Sequence, residues 1–166
     1  MKIFNFLLGV GLVLTLVGCA SKPIVVAPVG PNPYGGESTA SKGELVVFSR
    51  LFGCTEGDNP TWYQHSDYRI YNLQGQLVKY VGNSIGRYEE VPLPVALPPG
   101  RYIVKTRARD YLRVEVPVMI KRGQTTKVHL DGKWTFPANT PKKELVSLPD
   151  GSPVGWCANF MGKNRD

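Results

Sequence analysis

Apolar and polar positions change places in short blocks along most of this chain, and only one long apolar run interrupts the pattern. That run, Phe6 to Val17, follows Lys2. It is shorter than the ~20 residues a spanning helix needs, so residues 1–18 read as a secretion signal. From residue 44 onward the blocks are strand-like. Glu44 to Phe52 is rich in β-branched and aromatic residues and predicts a first strand, followed by a Gly/Asp/Asn/Pro loop over 53–61. Tyr68–Asn72 and Leu77–Val81 flank Leu73-Gln74-Gly75-Gln76, a hairpin whose glycine supplies positive φ. Val91 to Leu97 carries Pro92 and Pro94, which donate no ladder hydrogen bonds, so an edge strand is expected.

The clearest alternation lies between residues 97 and 130. A Pro-Pro-Gly turn at 98–100 feeds a strand in which Tyr102, Val104, Thr106 and Ala108 share the inward face. Arg101, Ile103, Lys105, Arg107 and Arg109 share the outward one. Val114 to Ile120 repeats the period of two, and Lys121–Gln124 turns the chain into Thr125–Leu130. Leu145–Leu148 and Pro153–Cys157 predict a last hairpin across Pro149-Asp150-Gly151-Ser152. Short strands at roughly 10-residue spacing indicate an all-β fold, an antiparallel β-sandwich of about seven strands.

Composition adds a spacer and a charge asymmetry. Residues 19–43 hold four prolines (23, 28, 31 and 33) together with Gly and Ser, and read as a passive tether. Such a spacer stands the domain off by about 5–6 Å × √n for n flexible residues. The formal charge of +7 is unevenly spread. Cys19–Gly100 carries 6 basic and 7 acidic residues, whereas Arg101–Asp166 carries 13 basic and 6 acidic. The second half is therefore suited to an anionic partner.

Leu16-Val17-Gly18-Cys19 resembles the bacterial lipobox. The resemblance implies diacylglycerol on the Cys19 sulfur, cleavage before Cys19 and acylation of the new amine. It implies a lipoprotein of the cell envelope. Ala20, in place of Asp, favours the outer membrane facing the periplasm over the inner membrane. Leu-Pro-Pro-Gly-x-Tyr-x-Val at 97–104, Val-x-Val-x-Val-x-Ile at 114–120 and Gly-x-Thr-Thr-x-Val-x-Leu at 123–130 resemble the carboxypeptidase regulatory-like and PEGA-like domains. Tyr-x-Ile-Tyr-x-x-x-Gly-x-Leu-Val at 68–78 is similar to their first hairpin. This resemblance covers residues 44–130 and implies a transthyretin-like or Ig-like sandwich, accessory and non-catalytic. Residues 131–166 lie outside it, as an extension expected to pack on the sandwich.

Candidate chemistry is sparse. In an oxidising envelope Cys54 and Cys157 are expected to form a disulfide, with two unpaired thiols as the alternative. His65, Asp67 and His129 lack a metal-ligand spacing, and no nucleophile or phosphate-loop motif is present, so neither metal, cofactor nor catalytic residue is expected. Arg101, Lys105, Arg107 and Arg109 read either as contacts to anionic lipid headgroups or other envelope polyanions, or as the solvated face of a sheet. Trp62, Tyr63, Tyr68, Tyr71, Tyr80 and Tyr88 read either as a stacking surface for glycan or protein, or as sandwich packing. Nucleic acid is not an expected partner. A structural or binding module on a lipid anchor is the leading expectation, with a carbohydrate or polyanion receptor second and an unrecognised enzyme third.

Overall fold

The computed structural model describes residues 22–36, 38–54, 57, 62–83 and 91–159. The segment read as a secretion signal, Cys19 and Tyr88 lie outside them, as do the side chains of Cys54 and Trp62. The described chain is all-β. Its strands are β1 (Ile24–Val25), β2 (Val29–Gly30), β3 (Gly43–Phe48), β4 (Leu51–Cys54), β5 (Trp62–His65), β6 (Tyr68–Tyr71) and β7 (Leu77–Val81). Then come β8 (Val95–Leu97), β9 (Gly100–Thr106), β10 (Val114–Ile120), β11 (Thr125–His129), β12 (Leu145–Ser147) and β13 (Pro153–Cys157). A single 3-10 turn, Lys142–Glu144, precedes β12.

A large sheet runs β12-β13-β2-β10-β9-β6-β7, with β1 also paired to β10. A three-stranded sheet, β11-β3-β8, covers its inner face, and β4-β5 form a separate ribbon. The period-two pattern fixes the layers. Val114, Val116, Val118 and Ile120 of β10 are buried, as are Val104 and Thr106 of β9, and they meet Leu45, Val47 and Val128 across the core. Burying a Val, Leu or Ile side chain contributes about 1.5–3 kcal/mol, so this interdigitation supplies most of the favourable term.

The local predictions of the hairpins hold. β6 and β7 pair across a turn with Gly75 at φ 78°. The Asn72 carboxamide oxygen accepts from the amides of Gln74 (3.1 Å) and Gln76 (2.8 Å), fixing that turn. β8 lies at the edge of the three-stranded sheet as expected, but it is shorter than the 91–97 segment and starts only after Pro92 and Pro94. β12 and β13 form the last hairpin.

Four expectations need correction. The sheets are mixed rather than antiparallel: β1 and β2 run parallel to β10, and β11 runs parallel to β3. The first strand breaks after Phe48, because the Arg50 amide leaves the β11 ladder and donates to the Arg107 carbonyl at 3.0 Å.

The segment read as a passive tether is part of the large sheet from Ile24 to Gly30, with Val29 fully buried and Val26 nearly so. Ile24 N–H donates to the Arg113 carbonyl (3.0 Å) and Val26 N–H to the Glu115 carbonyl (3.3 Å). The next rung of this parallel ladder needs a donor at residue 117. Pro117 has none, so β1 ends there and pairing resumes at Val29 opposite Val118.

The expected link between Cys54 and Cys157 is also absent. Cys157 is a free, half-buried thiol packed on the core. Its strand pairs with β2 in the large sheet, whereas Cys54 ends β4 in the ribbon, opposite Trp62.

Candidate functional site

One end of the sandwich brings four exposed cations, Arg69, Lys105, Arg107 and Arg113, to one cleft. β9 and β10 form a hairpin whose connection, residues 107–113, is tied down at both sides. Arg109 N–H donates to the Leu130 carbonyl (2.9 Å), Ala108 and Tyr111 exchange backbone bonds, and Ala108 is fully buried. This loop, Pro23, the β4–β5 ribbon and the start of β6 enclose an open cleft of about 800 Å³. Arg69, Lys105, Arg107 and Arg113 line it, against the two carboxylates of Asp67 and Glu115.

The strand register orders the cleft's outer wall. Tyr80, Arg69, Lys105 and Glu115 stand side by side across β7, β6, β9 and β10. Arg69 and Lys105 are therefore directly opposite like charges, an unfavourable pair in isolation. Lys105 Nζ relieves this by binding Glu115 Oε1 at 2.8 Å and by lying 5.1 Å from the centre of the Tyr71 ring. Arg69 lies over the Tyr80 ring at 5.5 Å. The other acid, Asp67, accepts from the Tyr80 hydroxyl and from the Asn83 amide (3.0 Å). Its hydrogen bond raises the Tyr80 phenol above the ordinary value. Both carboxylates are thus occupied inside the cleft, and Arg69, Arg107 and Arg113 make no ion pair among the described residues. A planar guanidinium with free donors recognises phosphate and carboxylate oxygens in pairs.

This arrangement divides the basic group expected from the sequence. Lys105 and Arg107 reach the cleft, whereas Arg101 and Arg109 do not line it. Arg101 pairs with Met119 at the other end of β9, with the row of Ile103 and Pro117 between it and Lys105. Arg109 lies 4.0 Å from Asp110 beyond the strand. Arg69 and Arg113 belong to the site but come from other elements. Arg69 stands on an outward position of β6 and Arg113 in the loop, and no motif marked either.

The aromatics are divided as well. Tyr68 is buried in the core with its hydroxyl unpartnered, and burial raises its phenol strongly. Tyr63 and Tyr80 are exposed, and Tyr71 is half-buried. A different set of rings forms the continuous cluster. His129 lies flat between Phe48 (4.5 Å, 10°) and Trp134 (4.8 Å, 4°). Trp134 meets Trp156 edge-on at 5.9 Å, and Trp156 meets Tyr34 edge-on at 5.7 Å. Tyr34 in turn donates to Glu144 Oε2 at 2.8 Å, satisfying a buried carboxylate. Burial, with Lys127 nearby, pushes the His129 imidazole down to about 4.

Trp134 and Trp156 form one wall of a second cleft of about 470 Å³ beneath the turn at Pro31–Gly36, with Asn32, Gln124, Thr125 and Thr135 supplying polar groups. No metal-binding group of three or more His, Cys, Asp or Glu side chains occurs among the described residues. The carboxypeptidase regulatory-like resemblance rests on its sequence motifs alone. No protein-family model, no curated protein and no solved structure matches this chain.

Proposed function

We propose that this chain is a lipid-anchored, non-catalytic binding or structural module of a bacterial envelope, held on the outer membrane facing the periplasm. The lipobox-like Leu16-Val17-Gly18-Cys19 supplies the anchor. The observation that carries the reading is the pairing of Ile24 with Val114, which starts the folded domain five residues after Cys19. An extended chain gains at most ~3.3–3.6 Å per residue, so five residues allow no more than about 17 Å between Ile24 and the acylated residue. A flexible spacer of the whole 19–43 segment would have let the domain roam. This one holds it at the membrane surface, with several acyl chains making attachment persistent. Metabolic labelling with a fatty-acid probe tests the anchor. Cys19→Ala is expected to lose the label and to accumulate as the unprocessed precursor, and continued labelling of that variant overturns the reading.

A second reading, a carbohydrate receptor, draws support from the cleft beside the half-buried Trp134, because amide and hydroxyl groups next to an aromatic ring suit a sugar. Envelope glycan fragments are then expected to perturb tryptophan fluorescence, and Trp134→Ala to remove the effect. No change in the unaltered protein counts against it.

A further inference from the structure

We propose that the end of the sandwich bearing the 107–113 loop docks on the anionic lipid headgroups of the same bilayer that holds Cys19. The inference rests on the lipid anchoring of Cys19 and names the surface that this anchoring brings into contact.

The direction of the chain comes first. β1 runs parallel to β10, with Ile24 opposite Val114. Residues before Ile24 therefore head the same way as Arg113 and Leu112, toward the loop, and Pro23 already lines the cleft beside them. The hairpin turns at 72–76 and 148–152 lie at the opposite end, because β6 runs with β10 and β13 against it. With so few residues between Cys19 and Ile24, the loop end faces the bilayer and the two turns face away from it.

The chemistry of that end matches a headgroup layer. Arg69, Arg107 and Arg113 carry guanidinium groups that the cleft's own carboxylates do not neutralise. Leu112 in the loop is 68% exposed, and Phe52 on the ribbon is 44% exposed. Exposed apolar side chains beside unpaired arginines suit an interface where the rings and alkyl groups enter the acyl boundary and the guanidinium groups stay with phosphates. The loop is already fixed by its backbone bonds, so docking orders little that is not ordered beforehand. Charge attraction decays over a Debye length of about 8 Å at physiological salt, so it acts when the tether is shorter than its full extension and the loop lies close to the headgroups. The anchor also makes the contact intramolecular, so a weak surface interaction suffices.

The full lipidated protein in nanodiscs tests this, with a gadolinium-bearing lipid as the probe and backbone amide signals as the readout. Mass measurement first establishes lipid on Cys19. In discs containing phosphatidylglycerol, amide signals of residues 109–113 are expected to be lost while those of 72–76 and 148–151 persist. Arg107→Glu with Arg113→Glu is expected to restore the lost signals, as is raised salt. Leu112→Ser, which keeps every charge, is expected to restore them in part. Equal signal loss in discs of phosphatidylcholine alone overturns the proposal, as does loss confined to the turns at 72–76 and 148–151. Lipid on Cys19 with the loop unaffected removes this inference alone, whereas absence of lipid removes the anchoring reading with it.

Discussion

Gly155 presses its backbone against Val29. A Cβ at position 155 would lie 2.6 Å from Val29 Cγ1 and 2.9 Å from the Lys127 carbonyl oxygen. β13, β2 and β11 meet at this point, so the carboxy-terminal hairpin, the amino-terminal segment and the small sheet are joined where no side chain fits. Gly155→Ala is expected to lower stability by about 1–3 kcal/mol through overpacking. The check is the urea midpoint, which should fall with the slope unchanged. An unaltered midpoint would show that the close approach does not exist.

Val29 itself tests whether the amino-terminal segment belongs to the fold. It is fully buried opposite Val118. Val29→Asp leaves an unpaired carboxylate in the core and is expected to cost several kcal/mol, or to prevent folding. A mobile spacer would tolerate the change within about 0.5 kcal/mol. Thermal unfolding of the purified variant distinguishes the two outcomes.

The two faces of β9 should differ as sharply. Val104 is fully buried, whereas Arg107, just past the strand, is exposed. Val104→Asp is expected to unfold the domain or to remove several kcal/mol. Lys105→Glu with Arg107→Glu is expected to cost no more than about 1 kcal/mol, mostly through loss of the half-exposed bond to Glu115. A large loss in the double variant together with tolerance of Val104→Asp would reverse the assigned faces.

His129 gives stability a dependence on pH. Two aromatic faces favour the imidazolium through cation–π attraction, but burial and Lys127 act the other way, and the group falls to about 4 from an ordinary 6.5. The folded protein thus binds fewer protons than the unfolded chain between these values. Stability linked to His129 is present above about 6.5 and is lost as the pH falls toward about 4. Urea midpoints measured across this window should decline on acidification, and the decline should flatten in His129→Gln. Titration of the imidazole near 6.5 by NMR would show that the rings, not burial, decide its charge.

Alternation along the chain was enough to determine the layered all-β architecture. Valines at 114, 116 and 118, with Val104 and Thr106 opposite, can be buried together only if one face of each strand is inward, whatever the sheet order. Gly75 with Asn72 determined a hairpin because the turn is local, and Pro92 with Pro94, whose missing donors are local too, precede the Val95 at which pairing starts. Pairing between distant segments was decided only by the tertiary structure. Ile24-Val25-Val26 is three apolar residues among prolines, and nothing within the segment distinguishes a spacer from a parallel partner of β10. The rung that Pro117 cannot supply acts across more than ninety residues of sequence. The cationic cleft was hidden for the same reason. Period two placed Lys105 and Arg107 outward, but it could not show that Glu115 occupies Lys105, that Arg101 lies two rows away, or that Arg69 and Arg113 come from other elements to complete the site. A sequence fixes which way a side chain points along its own strand; which charges remain unneutralised depends on neighbours that only sheet order and register bring together.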